Sequence, residues 1–259
     1  MKTVNDGKEI NSHIQMPESV LKRFENRHHQ FYYYDVERRF LGNHGHAGKT
    51  NTQHGFYSID IENFLSANIE KPFGDLMKAV DAISIDPPQG HIDAVFDYTA
   101  KRFVYALVAR NPDNIERIKD YPFLTEILTE VEARDAGMML GFAAEVEREF
   151  LAGFGTTVAV NITEVPFILP TCGAYYVQMR GIMHIALPVT PQKAIVFVEE
   201  NGVDAIIHDG IVHPYRVDDI SAVQVFNEAA LSTQCRYGNG YVVSPDRTAL
   251  TRALERTLQ

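Results

Sequence analysis

Aromatic and β-branched residues crowd positions 30–40, QFYYYDVERRF, and predict a strand or a hairpin turning near Asp35. A polar, glycine-rich stretch follows, NHGHAGKTNTQHG at 43–55. The pattern then turns helical. Over 59–83, Leu65, Ile69, Phe73, Leu76, Met77 and Val80 fall on one face at helical spacing. Pro72 lies inside this run and predicts a kink or a restart, because proline has no N–H and its ring crowds the preceding turn. The next stripe, Ile92, Val95, Phe96, Thr99, Phe103, Ala106 and Leu107, predicts a second helix. It must end before Asn111-Pro112, since a residue ahead of proline avoids the helical region. Leu124, Ile127, Leu128 and Val131 continue the helical period, and 136–152 predicts a further helix.

Beyond residue 153 the pattern becomes that of strands: 156–163, 166–169, 181–190, 193–200, 203–208 and 211–217. Asn201-Gly202 and Asp209-Gly210 are two-residue hairpin signals, because both central positions of such turns need positive φ. A three-stranded antiparallel meander over 193–217 is the resulting expectation. Two helices close the chain, one over about 218–235 capped by Asp218 or Asp219, the other starting at Ser244-Pro245-Asp246. The class is α+β, in a single domain over 1–259. Its sub-regions are a His-rich extended lobe at 1–58, a helical part at 59–152, a sheet at 153–217 and a helical closure at 218–259.

Charge changes this picture at one end of the chain. The net charge is −10, yet residues 1–58 carry eight Lys/Arg against six Asp/Glu, hence +2, leaving −12 for the rest. Six of the ten histidines fall in the same segment. The acidic bulk argues against non-specific nucleic-acid binding, while the N-terminal segment could contact an anion. No apolar run approaches the ~20 residues of a membrane span, and the opening residues lack a secretion signal. Two cysteines make no disulfide framework, so a reducing cytoplasm is expected. A protein partner or a homo-oligomer stays open, and no cofactor is implied.

The stretch 43–55 invites three readings. A phosphate loop needs G-x-x-x-x-G-K-[ST] followed by a helix. Gly42 is one residue too far from Gly48, and nothing helical follows Gly48-Lys49-Thr50, so this reading fails. A metal site would use His44, His46 and His54 with a water as fourth ligand. A solvated connecting loop is the plainest reading. Elsewhere, His208 and His213 flank Asp209-Gly210 and would share one sheet face, to hold an anion or a metal or to sit at a core margin. Cys172 would be a nucleophile only with a base such as His184 beside it, and otherwise a buried, inert thiol. Glu145, Glu147 and Glu149, with Asp135, splay around their helix and give no paired-carboxylate site.

An ordered set of short motifs resembles an uncharacterised microbial family, domain of unknown function 4238. It runs through His13, Pro17, Leu21 and Phe24, then Tyr34-Asp35, Phe56-Tyr57 and Ile69-Glu70. It continues with Arg110 before Pro112, Asn161, Phe167-Ile168, Thr190-Pro191, and Val223 with Asn227. The family pattern has Thr-Ser-Asp-x-Pro after Phe-Ile; here Leu169-Pro170-Thr171-Cys172-Gly173 stands instead. Any task of the missing Ser and Asp is then lost or moved to Thr171 or Cys172. The resemblance implies no established activity. One hypothesis is recognition or processing of a nucleotide or nucleic-acid ligand in a bacterium or mobile element, with His13, Arg110, Asn161 and Asn227 converging. Arg110 is the natural anion partner in that set, and the competing reading is that these residues cap helices and satisfy backbone groups. The alternatives are a non-enzymatic interaction protein, such as an inhibitor or defence-system component, and a metal-dependent hydrolase using the N-terminal histidines.

Overall fold

The computed structural model describes residues 11–13, 15–50, 52–54, 56–90, 92–110, 128–141, 152–179, 181–199, 207–208 and 211–258. Strand β1 (Asn11–His13) is followed by a short helix, α1 (Glu18–Leu21), and by the hairpin β2 (Phe31–Asp35) and β3 (Phe40–Gly45). β4 (Thr52–His54) pairs antiparallel with β1 as a two-stranded ribbon. Helix α2 (Ile59–Leu65) runs through a π turn at Ser66–Glu70 into α3 (Lys71–Ala82). Pro72 occupies the first turn of α3, so the restart read from the sequence is met by a wider turn that accommodates the missing N–H.

A short ribbon, β5 (Ser84–Ile85) with β6 (Pro88–Gln89), leads into α4 (Ala94–Ala109), which ends at Arg110 as the Asn-Pro signal requires. Asp93 caps it, its carboxylate accepting from the Phe96 N–H at 2.8 Å. α5 (Glu130–Gly141) starts earlier than the helix expected over 136–152, because Thr129 and Glu132 bond each other's backbone amides as a capping pair. The stripe at Leu124 and Ile127, and the acidic residues Glu145, Glu147 and Glu149, lie outside the described residues.

The central sheet has the order β14-β7-β11-β10-β9, built from β7 (Phe154–Asn161), β9 (Tyr175–Met179), β10 (Ile182–Thr190), β11 (Lys193–Glu199) and β14 (Tyr215–Val217). This corrects the meander expected over 193–217. The antiparallel meander is β9-β10-β11, β11 pairs next with β7, and β14 lies parallel to β7. The physical reason is burial on both faces. AIVFV at 194–198 is apolar without alternation, the mark of an interior strand flanked on both edges and covered above and below. The Asp209-Gly210 signal still works: β12 (Ile207–His208) pairs with β13 (Ile211–Val212), His208 opposite Ile211, as a ribbon of its own. Asn201-Gly202 lies outside the described residues.

A second sheet joins strands far apart in the sequence. Its order is β3-β2-β15-β8, with β8 (Leu169–Pro170) and β15 (Tyr241–Ser244). β15 pairs antiparallel with β2, Val243 opposite Tyr33, so the β2–β3 hairpin of the N-terminal region shares a sheet with a strand from near residue 240. Helix α6 (Ile220–Tyr237), capped by Asp219, packs against β9 and β8, and α7 (Arg247–Thr257), capped by Asp246, packs against α6, β15 and β2.

The helices thus cover both faces of the central sheet. On one face Val158, Leu187, Ile195 and Phe197 meet Phe73, Val80, Phe103 and Val104. On the other, Ala159, Ala194 and Val196 lie in one core with Val223, Phe226 and Leu231 of α6. Each such large apolar side chain contributes about 1.5–3 kcal/mol by leaving water. Lys193, at the start of β11, ties the sheet to the first of these helix layers. Its buried ammonium donates to the carbonyls of Val80 (2.7 Å), Asp81 (3.2 Å) and Ile83 (2.6 Å) at the end of α3. Among the described residues no helix is long and apolar enough to cross a membrane.

Candidate functional site

The stretch met first as a connecting loop lines a cleft. Residues 40–45 are strand β3, 47–49 form a 3-10 turn, and 52–54 are strand β4. The β2–β3 turn is set by Asp35, whose buried carboxylate accepts from the Arg38 N–H at 3.0 Å, while Arg39 takes a positive φ of 50°. Two glycines of β3 then let aromatic rings lie on the backbone. A Cβ at Gly42 would collide with the Tyr33 ring, and one at Gly45 with the Phe31 ring. Tyr33 is thereby held between Tyr241 of β15, edge-to-face at 5.6 Å, and Phe40, edge-to-face at 6.4 Å. Phe40 is 55% exposed, so part of this aromatic surface faces solvent.

The 3-10 turn supplies the other wall. The Ala47 N–H donates to Glu25 Oε1 at 3.0 Å, and the Thr50 hydroxyl donates to the His46 carbonyl at 2.8 Å. His44 Nδ1 stands 2.8 Å from Gln30 Oε1, and His46 Nδ1 stands 3.1 Å from the His29 carbonyl. An oxygen acceptor requires the proton on Nδ1, which leaves Nε2 of each ring as its reactive nitrogen. The resulting cleft, about 180 Å³, is lined by Tyr33, Asp35, Arg38, His44, His46, Lys49, Thr50 and Tyr241. Its formal charges are those of Arg38 and Lys49 against Asp35, and Arg38 stands 3.7 Å from that carboxylate. Burial raises the Tyr241 phenol above its ordinary value, so its hydroxyl stays a donor at neutral pH.

The other candidates have separate duties. Arg110 is buried at the end of α4, and its Nη2 donates to Glu70 Oε1, in the π turn, at 2.8 Å. Beside it, burial pushes the Tyr57 phenol far above its ordinary range, and its hydroxyl has no partner among the described residues. Asn161 donates to the Val165 carbonyl and accepts from the Thr163 N–H, while Asn227 accepts from the Ile168 N–H and donates to the Pro166 carbonyl. Both asparagines clamp the 162–168 connection, as the backbone-satisfying reading holds. The convergence expected of Arg110 with Asn161 and Asn227 is therefore replaced by an ion pair in one place and two clamps in another.

Thr171 and Cys172 belong to a buried amide knot. The Thr171 hydroxyl donates to Gln15 Oε1 at 2.9 Å and accepts from the Tyr241 N–H, and the Cys172 N–H donates to Gln234 Oε1 at 2.8 Å. Burial raises the Cys172 thiol to about 12, which makes it inert at neutral pH. His184 pairs with Val177 and Val198 within the sheet, and its Nδ1 has no partner among the described residues. It forms no dyad with Cys172.

His13 and His54 both lie in the β1–β4 ribbon, His13 opposite Thr52 and His54 opposite Asn11. Their side chains, and that of His208, fall outside the described residues. His213 is exposed, and its carbonyl accepts from the Thr157 hydroxyl at 2.7 Å. Among the described residues no group of three or more His, Cys, Asp or Glu is placed to hold a metal ion. No helix follows Gly48-Lys49-Thr50, so the cleft lacks the helix N-terminus of a phosphate loop.

Sequence reasoning named His44 and His46 but missed Tyr33, Arg38 and Tyr241. The available signal was Gly-x-x-Gly in a strand facing consecutive aromatics, a sign of rings packed on backbone. No family model, no curated protein and no solved structure matches the chain.

Proposed function

We propose that this protein recognises a nucleotide or single-stranded nucleic acid in the cleft between the β2–β3 hairpin and the 46–50 turn. One observation carries the reading: an aromatic surface and a set of cationic and imidazole side chains share the same small cleft. A base stacks on Tyr33 or the exposed Phe40 face, each stacked base contributing about 1–3 kcal/mol. Lys49 and Arg38 reach the phosphate, releasing counterions as they do. The acidic remainder of the chain repels polyanions and confines binding to this patch. The setting proposed is the cytoplasm of a bacterium or mobile element, and the resemblance to domain of unknown function 4238 belongs to this proposal, on the order of its motifs.

The test is fluorescence anisotropy with a labelled ten-nucleotide oligouridine over a salt series. Binding that weakens steeply with salt, and weakens further in Tyr33→Ala and Lys49→Glu, supports the reading. Binding that is absent, or indifferent to both substitutions, overturns it.

A further inference from the structure

His44 lies in the irregular stretch of β3 where Asn43 and His44 together stand opposite Tyr32, and His46 follows the strand end in extended backbone. Both line the cleft, and both have Nδ1 tied to an oxygen acceptor. Two nitrogens, Nε2 of each ring, are therefore offered to whatever occupies it, and Lys49, three residues beyond His46, lines the same cleft. Resting on the nucleic-acid reading above, we infer that the cleft cleaves RNA by acid–base catalysis, with His44 and His46 as the proton-transfer pair and Lys49 as the charge partner.

The chemistry closes without a co-reactant. Neutral Nε2 of one imidazole takes the proton of a ribose 2′-hydroxyl. The 2′-oxygen attacks the adjacent phosphorus, and the new O2′–P bond forms as the P–O5′ bond breaks. The second imidazole, protonated, delivers its Nε2 proton to the departing 5′-oxygen. The products are a 2′,3′-cyclic phosphate and a 5′-hydroxyl, and the two rings have exchanged protonation states. Charge builds on the non-bridging oxygens during the step, and Lys49 is the cation within the same cleft that opposes it. Asp35 adds no competing negative field of full strength, because Arg38 stands against it. A base stacked on Tyr33 fixes the ribose at the mouth of the cleft.

The experiment uses the whole chain in excess chelator with two labelled decamers of one sequence, one ribo and one fully 2′-deoxy. Binding is read by anisotropy, and cleavage by denaturing gel with mass spectrometry of the ends. The inference predicts that both strands bind and that only the ribo strand is cut, leaving 2′,3′-cyclic phosphate and 5′-hydroxyl ends. His44→Gln and His46→Gln should each slow cutting of the bound ribo strand, measured at saturating protein, by about 100-fold or more, a loss that weaker binding cannot produce under saturation. Binding of both strands without cutting overturns cleavage and leaves the recognition reading standing. Cutting that leaves 5′-phosphates, or that survives in both glutamine variants, also overturns it. Failure of either strand to bind overturns both readings together.

Discussion

Gly42→Ala tests whether the aromatic wall of the cleft depends on a bare backbone. A methyl group there would overlap Cζ and Cε1 of Tyr33 and stand 2.6 Å from its hydroxyl oxygen. Comfortable contact needs about 3.5 Å, so the ring must retreat by about an ångström. Tyr33 makes two edge-to-face pairs, with Tyr241 and Phe40, each contributing about 0.5–1.5 kcal/mol beyond its buried area. Losing both costs about 1–3 kcal/mol, which for a chain of this size lowers the melting temperature by about 2–12 °C. The same displacement removes a stacking platform, and a single stacked base at about 1–3 kcal/mol makes oligonucleotide binding about 5- to 150-fold weaker.

The decisive form of the assay is a double-mutant cycle by thermal melting and anisotropy. In a Tyr33→Ala background the methyl group meets empty space, so adding Gly42→Ala should be nearly neutral in both readouts. If Gly42→Ala costs as much without the Tyr33 ring as with it, the ring-on-backbone argument is wrong.

Two further predictions concern the scaffold. Lys193→Met strips three carbonyls at the end of α3 of their donor and should cost about 2–4 kcal/mol, read as a lower urea midpoint at unchanged slope; a loss below about 0.5 kcal/mol would refute the capping role. Burial lowers the His184 imidazole below its ordinary 6.5, so the unfolded chain binds that proton first as pH falls. The stability held by neutral His184 is full above pH 6.5 and is lost as pH drops from there through the folded value. His184→Leu should therefore flatten the melting-temperature profile between about pH 7 and 5, and parallel profiles would contradict the assignment.

What was legible in the sequence was local. The stripes of α3 and α4, the proline restart and the cap at Asp219 follow from helical period and hydrogen-bonding groups within a few residues, whereas the last helix is capped by Asp246 and not by Ser244, which ends β15. The apolar runs of β10 and β11 announced strands, yet not their neighbours, because an interior strand carries no mark of which edges cover it. The pairing of β2 with β15 joins residues near positions 33 and 243, a partnership that no local pattern encodes. The cleft suffers from the same blindness. His44 and His46 stood out by residue type, whereas Tyr241 reaches them only through that long-range pairing. Arg110, Asn161 and Asn227 stood out equally, and the fold uses them to hold Glu70 and one connection. Polar residues inside apolar segments signal that something must be satisfied, without saying whether by ligand or by backbone.

The measurement that tests the central claim most directly is photo-cross-linking of a 4-thiouridine oligonucleotide to the whole chain, with the linked peptides located by mass spectrometry. Cross-links on Tyr33, Phe40 or Tyr241, suppressed by unlabelled oligonucleotide, are the predicted result. Cross-links confined to the apolar groove lined by Leu76, Ile83 and Phe96, or none at all, would contradict it.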